Sequence, residues 1–235
     1  MLSVVACNKS KGDGSDDATT ADEVAKFQKM LAESVPTSSN TVVTHDVNNY
    51  VIENVSSLVT GTVSGKKAAV YTSSVNTLGS VEDRVLQHLR TKNETVWYLE
   101  GYGTSTNKGK SWKESGNDFS PVAGSLSMDL REKYISSYKY SQEGAIETLK
   151  ITMTAENATL ALANFLDSNQ TIKEEVTITI TAAAERISSI TIKYTIPEHD
   201  VGTEDNPVFL EDVIITIKSD YSYKTDTGDI PITLG

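Results

Sequence analysis

With a single cysteine, Cys7, in 235 residues, the chain can form no internal disulfide and no zinc site built from several thiolates. There are three histidines, His45, His88 and His199. They lie far apart and none has a second histidine at ligand spacing, so each reads as a surface or structural residue. Five prolines are too few for a Pro-rich stalk. No stretch approaches the ~20 consecutive apolar residues that a membrane-spanning helix requires. Basic residues are also in deficit: Lys plus Arg total 21 against 32 Asp plus Glu, a net charge of −11. A nucleic-acid binder needs a basic footprint that displaces counterions from phosphates. No such stripe is visible, so nucleic acid is not an expected partner, nor is tight adhesion of the folded part to anionic headgroups.

The motifs of common enzymes are missing too. There is no Gly-x-Ser-x-Gly elbow and no phosphate-cradling glycine loop; Gly101-Tyr102-Gly103 follows an expected strand, but position 106 is threonine. Glu82-Asp83 and Glu174-Glu175 are paired carboxylates of the kind glycoside hydrolysis uses, yet such pairs arise by chance in so acidic a chain. Glu198-His199-Asp200 with Glu204 and Asp205 is expected to be a solvated acidic loop, with carboxylate cation binding as the alternative. No catalytic residue, metal or cofactor is predicted.

What the chain does have begins at its amino terminus. Val4-Val5-Ala6-Cys7 sets an aliphatic residue at −3 and a small one at −1 before the cysteine. This resembles the lipobox of bacterial lipoproteins, in which the cysteine thiol accepts a diacylglycerol and the signal peptidase cuts just before it. Residues 1–6 are then expected to be the remnant of a signal peptide, although a full one carries a basic region and about 7–15 apolar residues. The alternative is that Cys7 is an ordinary thiol. Residues 8–17, polar and rich in Gly, Ser and Asp, are expected to belong to a flexible tether over 7–19. Residues 20–235 are expected to form a single domain.

Within that domain Thr20-Ala-Asp-Glu23 reads as a capping box. Val24, Phe27, Leu31 and Val35 recur at helical spacing, which predicts a helix over about 21–34 stopped by Pro36. From Thr41 the composition turns to Val, Thr and Tyr, predicting strands over 41–57, 66–73 and 85–102; Val81, Val85, Leu86 and Leu89 also fit a helix. Lys108-Gly109-Lys110 reads as a hairpin turn. Leu126, Leu130 and Tyr134, four apart, predict a helix over 120–138. Strict alternation then marks strands in which Leu149, Ile151 and Met153, Val176, Ile178, Ile180 and Ala182, Ile190, Ile192, Tyr194 and Ile196, and Val213, Ile215 and Ile217 share one dry face. Between the first two of these strands, residues 156–167 predict a helix apolar nearly all round, which must be buried on several sides or line a cavity.

Trp97-Tyr98-Leu99-Glu100-Gly101-Tyr102, followed by Gly109-Lys110-Ser111-Trp112-Lys113 and the ending Gly228-Asp229-Ile230-Pro231, resembles lipoproteins related to the mycobacterial glycolipid-binding lipoproteins. The wider group includes the periplasmic lipoprotein carriers of Gram-negative bacteria and uncharacterised Gram-positive lipoproteins. The resemblance covers element order over roughly residues 40–232. It implies an α+β fold in which a curved antiparallel sheet, a half-barrel, carries helices on its concave face and holds an apolar ligand there. It supplies no catalytic residues.

The expected function is therefore a membrane-anchored, extracytoplasmic lipoprotein, attached at Cys7, that binds an apolar or lipid-like molecule between sheet and helix. Trp97, Leu99, Leu162, Phe165 and Leu166 are the candidate lining residues. Two rivals remain: a structural or adhesive surface module with a filled core and a protein or glycan partner, and an enzyme whose site is scattered in sequence, recognisable as clustered, perturbed titratable groups in a cleft. No oligomeric state is assigned.

Overall fold

The computed structural model describes residues 7–8, 17–47, 50–79, 92–113, 126, 128–163, 165–166, 170–200, 205, 207, 209–223, 230 and 232, with side chains from residue 22 onward except 50, 76–79 and 92. The described elements are β1 (Cys7–Asn8), α1 (Asp17–Glu33), β2 (Ser38–Val47), β3 (Tyr50–Val63), β4 (Lys66–Gly79), β5 (Lys92–Leu99), β6 (Gly103–Ser105), β7 (Ser137–Glu143), β8 (Ile146–Met153), α2 (Ala155–Ala161), β9 (Val176–Ala183), β10 (Arg186–Asp200) and β11 (Phe209–Ser222). The described residues are thus mostly antiparallel sheet with two α-helices. It divides into two compact units, one of Met1–Ser34, His45–Val47 and Ser125–Lys218, the other of Val35–Thr44, Asn48–Gly124 and Ser219–Gly235. The division is spatial rather than sequential: β2 and β11 each place residues in both.

In the first unit the strand order is β1-β7-β8-β9-β10-β11. The alternation predicted from sequence holds in β8, β9, β10 and β11. Leu149, Ile180 and Ile190 stand in register across three strands, as do Ile151, Ile178 and Ile192, all at most 1% exposed. Their neighbours on the other face are threonines and lysines, such as Lys150, Thr179 and Thr191. A β-bulge between Ile187 and Ser189 adds one residue to β10, so Ile187 and Ile190, three apart, both turn inward. Ser188 Oγ covers the irregularity by donating to Thr181 O at 3.1 Å.

Helix α1 contacts β10 and buries Phe27, Met30 and Leu31. Phe27 meets Tyr140 edge-on at 6.5 Å. The helix starts at Asp17, so Thr20 is an internal helical residue and not the expected cap. Its end is fixed where Ser34 N donates to Met30 O at 2.9 Å and Ser34 Oγ accepts from Ile187 N at 3.2 Å. Val35, assigned to the apolar stripe by spacing, lies past that end and is 68% exposed.

Two other helical expectations are corrected. Around 120–138 the described residues hold a 3-10 turn, Glu132–Tyr134, and then β7. Leu126, Met128 and Leu130 are all buried. Spacing of two is the extended-chain period, and it contains the four-residue spacing that suggested a helix. The Gln28 side chain completes this extended stretch as a strand would, donating to Met128 O at 2.9 Å and accepting from Leu130 N at 2.6 Å. The expected helix over 156–167 is the seven-residue α2, capped by Thr154, whose side chain accepts from Asn157 N. It buries Ala158 and Ala161 but leaves Leu160 62% exposed. It is therefore one-sided: a short helix docks through its alanines, and its apolar content was not a measure of its burial.

In the second unit the order is β2-β3-β4-β5-β6. A two-residue turn at Ser64-Gly65, both at positive φ, joins β3 to β4. Gly61 lies within β3 opposite Ala68. The core here is small: Val63, Ala68, Leu99 and Ile230, with Val70, Trp97, Trp112 and Ile232 packed against it. Thr37 N and Oγ1 both donate to Ser222 O, at 2.8 and 3.0 Å. Residues 80–91, where strand and helix both fitted the sequence, lie outside the described residues, and with them His88 and the Glu82-Asp83 pair.

Candidate functional site

Of the five candidate lining residues, Trp97 and Leu99 belong to the second unit, and Leu162, Phe165 and Leu166 to the first. Leu99 sits on β5 opposite Ala68 and is completely buried. Leu162 is the C-cap of α2 and is also completely buried; Leu166 is 7% exposed. A side chain with no accessible area borders no void the size of a water molecule. Trp97 and Phe165 are half-buried. Trp97 packs against the second unit's core, and its indole Nε1 is buried without a hydrogen-bond partner among the described residues.

Backbone pairing places Cys7 opposite Tyr140 in β1, the end member of the first unit's strand order. Residues 1–6, the rest of the lipobox, lie outside the described residues. The densest polar cluster is built on α1, β7 and β8. Tyr140 Oη donates to Glu147 Oε2 at 3.0 Å, and Lys26 pairs with the same carboxylate. Burial and the hydrogen-bonded Glu147 carboxylate push the Tyr140 phenol up to about 12. Glu23 is raised from the ordinary carboxylate value, first by burial, then by the charges of Asp22 and Glu147, with Lys26 opposing. One Glu23 oxygen, Oε2, is covered and unpartnered among the described residues. These groups fasten the helix to the sheet. Among the described residues the cluster includes no histidine.

A second pair was not legible in the sequence. His45 on β2 and His199 on β10 stack at 4.5 Å between ring centroids with planes 20° apart. His45 is 7% exposed. The His199 imidazole is held below its ordinary value by burial, with the Asp200 charge opposing. Strand β10 runs through Asp200, so Glu198-His199-Asp200 is strand rather than the acidic loop expected; Glu204 lies outside the described residues. Parallel rings point their nitrogens sideways rather than at a shared point. Among the described residues no group of three or more His, Cys, Asp or Glu could hold a metal ion.

The Lys108-Gly109 turn forms as expected, both residues at positive φ. Thr104 and Lys113 exchange two backbone hydrogen bonds, at 2.9 and 2.8 Å, and Trp112 lies 5.7 Å from Tyr102. Ser105 Oγ organises the loop by accepting from Gly109 N at 2.9 Å and Asn107 N at 3.3 Å.

No protein-family model matches the chain, and no curated protein matches it. Among solved structures, an N-terminal dehydratase from the difficidin assembly line aligns over 95% of this chain and 94% of its own length at 8% identity, with a TM-score of 0.13. A likeness that weak carries no inference about fold or activity. No described helix is long and apolar enough to cross a membrane.

Proposed function

We propose that this chain is a non-enzymatic, extracytoplasmic lipoprotein, held to the outer face of a bacterial cytoplasmic membrane through Cys7, whose folded part meets its partner on an outer surface. The observation that carries the choice of surface over interior is the complete burial of Leu99 and Leu162. At these two positions the side chain has no surface left for a ligand. The end-strand position of Cys7 and the lipobox order Val4-Val5-Ala6-Cys7 support the anchor.

A second reading keeps the apolar ligand of the resembled carriers, in a half-barrel whose concave face the helices cover. One observation favours it: Trp97 has a half-buried ring and an indole N–H without a partner among the described residues, which a ligand acceptor would satisfy.

Two experiments test these readings. Metabolic labelling of the expressed gene product with a fatty-acid probe should mark the protein, and Cys7→Ser should abolish the mark. Unlabelled protein would remove the anchor. Native mass spectrometry of protein purified from a bacterial host, followed by organic extraction, should show no co-purified apolar compound. A stoichiometric lipid, lost in Trp97→Ala, would replace the surface reading with the ligand reading.

A further inference from the structure

The chain carries a net charge of −11, yet five lysines fall in two stretches that the second unit brings together. Lys66 and Lys67 follow the β3–β4 turn; Lys108, Lys110 and Lys113 lie in and after the loop that leaves β6. All five are exposed. Across residues 64–67 and 100–113 the acidic side chain is Glu100. Its backbone N–H donates to Lys67 O at 2.9 Å, and its carboxylate accepts from Lys67 N at 3.1 Å. The two stretches are therefore neighbours, and the single acid is engaged by the backbone.

Aromatic rings sit among these cations. Lys66 Nζ lies 4.6 Å from the Tyr102 ring centroid, and Tyr102 is 41% exposed. Trp112, 5.7 Å from Tyr102, is seated on the core. The loop bearing Lys108 and Lys110 is pre-organised: besides the Ser105 bonds, Asn107 Oδ1 accepts from Ser111 N at 3.0 Å. Ordering cost on binding is correspondingly low.

Lysines around an exposed tyrosine and a seated tryptophan fit a boundary that is anionic outside and apolar beneath. The chain's net acidity does not cancel this edge, because at physiological ionic strength charges beyond about 8 Å are screened. We infer that this edge of the second unit is a docking surface for the anionic headgroups of a lipid bilayer. It is independent of the Cys7 anchor and gives the folded part its own membrane contact.

The test is flotation of the unlipidated full chain with phosphatidylglycerol–phosphatidylcholine vesicles and with pure phosphatidylcholine vesicles, at low and physiological salt. Binding to the anionic vesicles alone, weakened by salt, is expected. Lys66→Gln, Lys67→Gln and Lys113→Gln should each lower partitioning about 5-fold, and Tyr102→Ser should lower it further. Lys150→Gln, exposed on β8, should leave it unchanged. The inference is overturned by equal partitioning to both vesicle types, by indifference to the edge lysines, by equal loss in Lys150→Gln, or by binding to soluble polyphosphate without binding to vesicles.

Discussion

Gln28 is the residue whose effect most exceeds its chemistry. A neutral amide on a helix supplies both a donor and an acceptor to an extended stretch, in the place of a neighbouring strand. Buried peptide groups left without partners cost about 1–3 kcal/mol each. Gln28→Ala is expected to lower unfolding free energy by about 2–4 kcal/mol in urea titrations. The turn between β9 and β10 offers the opposite change. Ala184 and Glu185 hold φ of 50° and 59°, a conformation that an Asn-Gly pair adopts with far less strain. The double substitution Ala184→Asn with Glu185→Gly should stabilise the protein by about 1–2 kcal/mol, read as a higher urea midpoint.

The stacked histidines give a pH dependence with a definite sign. His199 is held below the ordinary imidazole value of 6.5 by burial, so the unfolded chain binds a proton more readily than the folded one. Its contribution is present above the unfolded value and lost as pH falls through the folded one. Stability should fall as pH drops from about 7 to about 5, and His199→Asn should flatten that limb. Glu23 has the reverse sign: its raised value means that acid favours the folded state, so Glu23→Gln should raise the urea midpoint at neutral pH.

At the scale of elements, β8, β9, β10 and β11 were legible residue by residue, while β1 and β7 were not. Period-two alternation is a local consequence of the pleat, and burial followed it from Leu149 to Ile217. The helices were less legible for a physical reason. Spacing of four at Leu126 and Leu130 belongs equally to a helix and to an extended chain, and only the intervening Met128 and the distant Gln28 decide between them. Likewise α2 is apolar in composition but docks through two alanines. The candidate ligand residues are split between the two units, and strand and helix signals report which side chains leave water, not what they meet afterwards. His45 and His199 came together by strand placement alone, which no spacing in the chain encodes.

For the whole molecule, the units interleave along the chain, and β2 and β11 pass from one to the other without leaving strand conformation. No single cut separates them, and unfolding either one would disrupt shared strands. Ile178→Ala in the first unit and Leu99→Ala in the second should each cost about 2–5 kcal/mol and shift one common transition. Two resolved transitions, each moved by a different variant, would show that the units unfold independently.

Composition and periodicity by themselves determined the antiparallel sheet, its dry face, the burial of Phe27 and Leu31 on the first helix, and the exclusion of an internal disulfide or a zinc site of several thiolates. These depend on the chain's own repeat and inventory. Tertiary structure decided where the candidate lining residues are buried, that Gln28 serves as a strand partner, that two distant histidines stack, and that lysines scattered through an acidic chain gather on one edge. Those outcomes depend on which strands lie side by side, and strand neighbours far apart in sequence leave no local trace.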